Sequence, residues 1–187
     1  SAAQALAVCD AAKDLLVDGL KMKTAAIMSE DAAWTKPLDI GYEECLPKIG
    51  LKVTDHIRFS PDTTDFTPIF NKIEAQKPDV IITGISHVGV QPTVQWKNQQ
   101  VPIPMFGISA QALSPPFWAD TNGAADGIPS LAVATENVAV TPKTKPFAEA
   151  FKKKFGKSPA YTGYTAYDEV YIITDAIKRA GSTDPDK

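Results

Sequence analysis

Residues 79–89, DVIITGISHVG, constrain this chain more than any other stretch. A β-branched run enters from Lys77-Pro78 and leaves through Gly84, without the polar alternation of a strand that faces water. Such a run reads as a buried central strand, which needs a parallel sheet covered by helices on both faces. Its polar tail carries Ser86 and His87, the latter one of two histidines. Ligands of open α/β sheets sit at the carboxyl edge of the strands, so the tail points to a binding site more firmly than to catalysis.

The flanking pattern supplies the rest of such a sheet. A stripe through Ala5, Val8, Cys9, Ala12, Leu15, Leu16 and Gly19 predicts a first helix, and residues 24–29 a first strand. Thr35 is the expected N-cap of a second helix with Pro37 in its first turn and Leu38, Tyr42, Cys45, Leu46 and Ile49 inward. Residues 51–59 alternate like an edge strand, with His56 exposed on it. Phe66, Ile69, Phe70 and Ile73 mark a third helix, and residues 90–100 a fourth. Strands are expected at 105–108 and, after Gly127, at 128–134. This alternation predicts an α/β fold with a doubly wound, five-stranded parallel sheet. A polar connector over 135–145 precedes two helices with no strand between them. One carries Phe147, Phe151 and Phe155, and the other runs from about Tyr164 to Ala180.

Composition closes off several classes. A net charge of −3 gives no footprint for nucleic acid or an anionic membrane. No apolar stretch approaches the roughly 20 residues that span a bilayer. Cys9 and Cys45 lack metal-type spacing and a CxxC motif, and each lies on the apolar stripe of its own helix. They read as two buried thiols, with a disulfide the lesser alternative, which leaves the redox compartment open. GISHVG is not a GxGxxG loop, and neither a P-loop nor GxSxG occurs. Glu30-Asp31 is the one acidic pair at a strand end, and neighbours on a loop point apart, so a carboxylate dyad is not expected. Neither a metal site nor a cofactor is expected.

The strand ends together form the candidate site: Trp34 after the first strand, Ser86 and His87 after the central one, Ser109 and Gln111 after the fourth. Each has a plainer reading, Trp34 as a staple for its helix, His87 as a loop histidine and Ser109 as a turn residue. Their shared placement at three strand ends favours binding.

Three segments carry a resemblance: KTAAIMSEDAAWTKPLDIGYEECLPKIGLKV, DTTDFTPIFNKIEAQKPDVIITG, and KPFAEAFKKKFGKSPAYTGYTAYDEVYIITDAIKRAGSTDP. They resemble the branched-chain amino-acid type of solute-binding protein that serves ABC importers, a type I periplasmic-binding fold. The resemblance implies a second lobe over 1–134, a connector over 135–145, and helices over 146–187 that in the family pack on a first lobe absent from this chain. The bared stripes on those helices would then repack or be covered, in one case by a second copy in a dimer. It implies an extracytoplasmic location, periplasmic or extracellular, free or lipid-anchored, with a small-molecule ligand, an amino acid or organic acid, and a membrane permease as partners. Trp34 matches the family's ligand-stacking aromatic, and Ser86 and His87 the position where the family often has aromatic contacts. Ser109 stands where amino-acid binders carry an acid for the ligand ammonium, which implies a neutral or acidic solute. A ligand-sensing domain of a receptor or transcriptional regulator, and a small flavodoxin-like enzyme, are the alternatives.

Overall fold

In the computed structural model, which describes residues 1–186, the chain forms two compact units. The first comprises Ser1–Ala112 with Pro116–Leu131, and the second Leu113–Pro115 with the residues from Ala132 onward. Lys187, the last residue of the expected C-terminal segment, lies outside the described residues.

The first unit is built on four parallel strands, β1 (Thr24–Glu30), β2 (Lys52–Phe59), β3 (Val80–Ile85) and β4 (Met105–Ser109), in the order β2-β1-β3-β4. All six residues of β3 are buried, as the unbroken β-branched run requires. Helices α1 (Ala2–Ala12), continued as a π-helical turn over Lys13–Gly19, and α2 (Lys36–Ile49) cover one face. There Val8, Leu16, Leu38, Tyr42 and Leu46 pack on Ile27, Val80 and Ile82. Helices α3 (Thr67–Gln76) and α4 (Gln91–Asn98) follow β2 and β3. Phe66, Phe70 and Ile73, with the half-buried Trp96, pack on Met28, Ile81 and Met105. A short α5 spans Phe117–Asp120.

Two ties fix the register of the sheet. The Asp79 Oδ2 accepts from the Lys23 and Thr24 amides at 2.8 and 2.9 Å, locking the start of β3 beside the start of β1. The fully buried Tyr42 hydroxyl donates to the Thr83 carbonyl at 3.1 Å, and burial pushes its pKa far up. Gly107 is required where β4 crosses β3. Its φ is +133°, and an added Cβ would lie 2.8 Å from the Thr83 carbonyl oxygen.

The expected fifth strand does not form. Residues 128–134 contribute one bridge, Gly107 with Ser130, and one amide bond, from Leu131 to the Gly107 carbonyl at 2.9 Å. Pro129 has no amide to give a ladder, and the apolar run is not buried, Val133 being 49% exposed.

Cys9 and Cys45 are not free thiols; they form a disulfide. Gly41 lets α2 approach α1 closely, since a Cβ there would meet that of Ala5 at 2.5 Å, and the two cysteine Cα atoms stand 6.2 Å apart. Thr35 does not cap α2 either. Its hydroxyl turns back to the Glu30 and Ala32 carbonyls at 2.6 and 2.8 Å, while Pro37 already removes one amide in need of a cap.

In the second unit α6 (Thr144–Phe155) and α7 (Tyr161–Ala180) share an aromatic seam. Phe147 stacks on Tyr167 at 4.4 Å between ring centroids and meets Tyr164 edge-on at 5.2 Å. Val170, Ile172 and Ile173 remain 58–65% exposed.

Candidate functional site

The strand order places a switch point between β1 and β3, from which one connection leads outward to β2 and the other to β4. Crevices at the carboxyl ends of such strands are where open α/β sheets bind ligands. Here the crevice is organised by Glu30, the last residue of β1, which is fully buried.

Its Oε1 accepts the Ser86 amide at 2.5 Å, the His87 amide, and more distantly the Val88 amide at 3.4 Å. Its Oε2 lies 2.7 Å from His87 Nδ1. A carboxylate acceptor places the ring proton on Nδ1, so His87 turns Nε2 outward from a side chain that is 58% exposed. The Gln111 side-chain Nε2 donates to the Ser86 carbonyl at 2.7 Å, and the Ser109 backbone amide to the Ser130 hydroxyl at 3.3 Å. Ser109 pairs in register with Ile85, which brings Ser86, His87, Ser109 and Gln111 onto one edge.

Trp34 sits differently. Its ring is half-buried against the core cluster under α1 and α2, and its indole N–H is buried and donates to nothing among the described residues. Arg58, from β2, pairs with Asp39 and with Asp31 at 2.8 Å, and donates to the Thr35 hydroxyl at 3.2 Å. The Arg58–Asp31 hydrogen bond and the guanidinium charge hold the Asp31 carboxyl below the usual carboxylate range. Adjacent in sequence, Glu30 and Asp31 thus serve opposite partners and form no dyad.

His56 is not the exposed strand residue expected. Its ring is 20% exposed, with Nδ1 2.7 Å from Glu43 and Nε2 3.4 Å from Asp39, because it faces α2 rather than solvent. Among the described residues no group of three metal-ligating side chains comes together.

A family model described as periplasmic binding protein matches residues 2–187. The chain belongs to the periplasmic binding protein family. The Leu/Ile/Val-binding protein homolog 3 of Brucella melitensis is 25% identical over 173 residues, covering 91% of this chain and 46% of that protein. A leucine-binding protein from Thermotoga maritima superposes with a TM-score of 0.81 at 22% identity, over 98% of this chain and 51% of that one. A solute-binding protein of an R. palustris ABC transporter, solved with benzoate, gives 0.80 at 17%, over 97% and 49%. The chain therefore spans about half the length of these relatives, and its fold is one lobe of the type I periplasmic-binding fold, with four strands rather than five.

In this periplasmic binding protein, sequence reasoning missed Glu30 as an organiser and Arg58 as the partner of Asp31. A carboxylate directly ending a strand, one residue before another, was the available signal. What it lacked was the loop 56 residues away whose amides Glu30 satisfies.

Proposed function

We propose that this chain is the second lobe of an extracytoplasmic solute receptor of an ABC importer, which closes on a small ligand and presents it to a membrane permease. The family match over residues 2–187 is the observation that carries this reading. The Cys9–Cys45 disulfide supports a location outside the reducing cytoplasm, whether free in the periplasm or lipid-anchored. The role is binding rather than catalysis, with residues 1–134 forming the ligand lobe, 135–145 a connector, and the helices beyond packing on the first lobe.

Trp34, Ser86, His87, Ser109 and Gln111 are the proposed ligand contacts. The ligand is a neutral or acidic organic solute. A buried ammonium needs a carboxylate, and those at this edge are engaged: Glu30 by amides and His87, Asp31 by Arg58. Benzoate in the R. palustris relative is of the proposed class.

Calorimetric titration of the two-lobed protein with benzoate, aliphatic carboxylates and leucine tests this. The carboxylates should bind and leucine should not, with His87→Ala and Trp34→Ala each weakening binding about tenfold or more, equal to about 1.4 kcal/mol. Tight, selective binding of leucine would overturn the ligand class.

A further inference from the structure

Three consecutive amides converging at the end of β3 make a concave seat for an anion. In this chain the seat is filled from within. Glu30 is fully buried, and its carboxylate takes the Ser86, His87 and Val88 amides on one oxygen and the His87 ring on the other. A buried carboxylate is tolerated only with this kind of compensation, and amides bonded to a charge are held more firmly than those bonded to a neutral acceptor.

We propose that Glu30 is a positioning and specificity-determining residue: an internal anion that fixes the Ser86–Val88 loop and the tautomer of His87, and bars a ligand's carboxylate from the seat at the switch point. Tethered one strand away, Glu30 meets the seat at an effective concentration no free solute matches. A ligand approaching this wall meets the Nε2 edge of His87 instead of the amides; with the ring proton on Nδ1 that nitrogen accepts, so the ligand turns a hydroxyl or other donor toward it and its carboxylate elsewhere. That the wall faces ligand rests on the function proposed above; the positioning itself does not.

Two ligand-free measurements on the 187-residue chain test it. In Glu30→Ala the seat is vacated, and the melting temperature should fall by about 5–10 °C. Sodium formate should restore at least half of that loss, sodium chloride at equal ionic strength should not, and the wild type should respond to the two salts alike. In the near-isosteric Glu30→Gln, the carboxamide oxygen can still accept the amides, but its NH2 group then faces His87 Nδ1. At a pH where the ring is neutral, the imidazole 15N shifts should report a switch from the Nδ1–H to the Nε2–H tautomer, which a purely structural role would not produce. Glu30→Asp should keep the wild-type tautomer.

Formate rescue no greater than that of chloride, or an unchanged tautomer in Glu30→Gln, would overturn the proposal. Should Glu30→Ala fail to fold, the tautomer measurement decides alone. Because neither readout involves a solute, failure here leaves the receptor reading standing, and failure of the ligand titration leaves this one standing.

Discussion

At single residues, the tightest constraints lie where one atom serves two strands. The Asp79 carboxylate binds the Lys23 and Thr24 amides and the Thr24 hydroxyl, and the Lys23 amide bond leads in holding its pKa below the ordinary value. Asp79 is exposed, so solvent screens the contribution, and Asp79→Ala should lower stability by only about 1 kcal/mol at neutral pH. A carboxyl whose folded pKa is depressed stabilises the fold above its unfolded pKa, about 3.9, and loses that contribution as pH falls through the folded value. Denaturation of wild type and variant across pH should therefore show a constant gap from neutrality down to about pH 4 that closes below it. A gap that persists in acid would assign the effect to packing. Gly107 is the opposite case, a matter of space rather than charge. A methyl group there would press on the Thr83 carbonyl oxygen and nitrogen at 2.8 and 2.9 Å with φ at +133°, so Gly107→Ala should cost about 3 kcal/mol in chemical denaturation.

Among the elements, the junction of α1 and α2 carries the covalent link. The disulfide closes a loop of 36 residues, for which chain-entropy arguments give about 3–4 kcal/mol. The double variant Cys9→Ala with Cys45→Ala should unfold at correspondingly lower denaturant, and reduction of the wild type should approach the same midpoint. The apolar stripes placed both cysteines inward correctly, yet a stripe reports which side a residue faces and not what it faces. The partner depended on Gly41 admitting α2 against α1, a contact across 36 residues. The same distinction runs through the fold. Local periodicity located the four strands and the longer helices, because burial imposes a repeat on each segment separately, but not the single turn of α5. It gave a strand to residues 128–134, where composition is apolar but Pro129 interrupts pairing and only Ile128 and Leu131 lean on the core while Val133 stays in water. Ser86, His87, Ser109 and Gln111 were legible as strand ends, whereas Glu30 was not, since its role exists only once β1 and β3 lie side by side.

For the whole molecule, the exposed face of α7 is where association is expected. Val170, Ile173 and Ile177, spaced i, i+3, i+7 on one side of a helix whose Tyr164 and Tyr167 pack on α6, are 62, 58 and 38% exposed. Burying the exposed remainder of these three side chains is worth about 1 kcal/mol each. Bringing two free molecules together costs about 4–15 kcal/mol, so two copies meeting through this face should associate weakly and reversibly. On the proposed reading, in which a first lobe is tethered to this one, most of that cost disappears and the same apolar area would suffice to hold the lobes together. Sedimentation velocity should accordingly show the average mass of the 187-residue chain rising with concentration. Ile173→Lys with Ile177→Lys should abolish the rise without altering the disulfide-linked unit. If α7 docks on a first lobe as proposed, the two-lobed protein should remain monomeric over the same range, and there the paired lysines should lower the melting temperature. A concentration-independent monomer of the isolated wild-type chain would show that this face needs no cover, and the proposed docking of α7 on a first lobe would lose its physical motive.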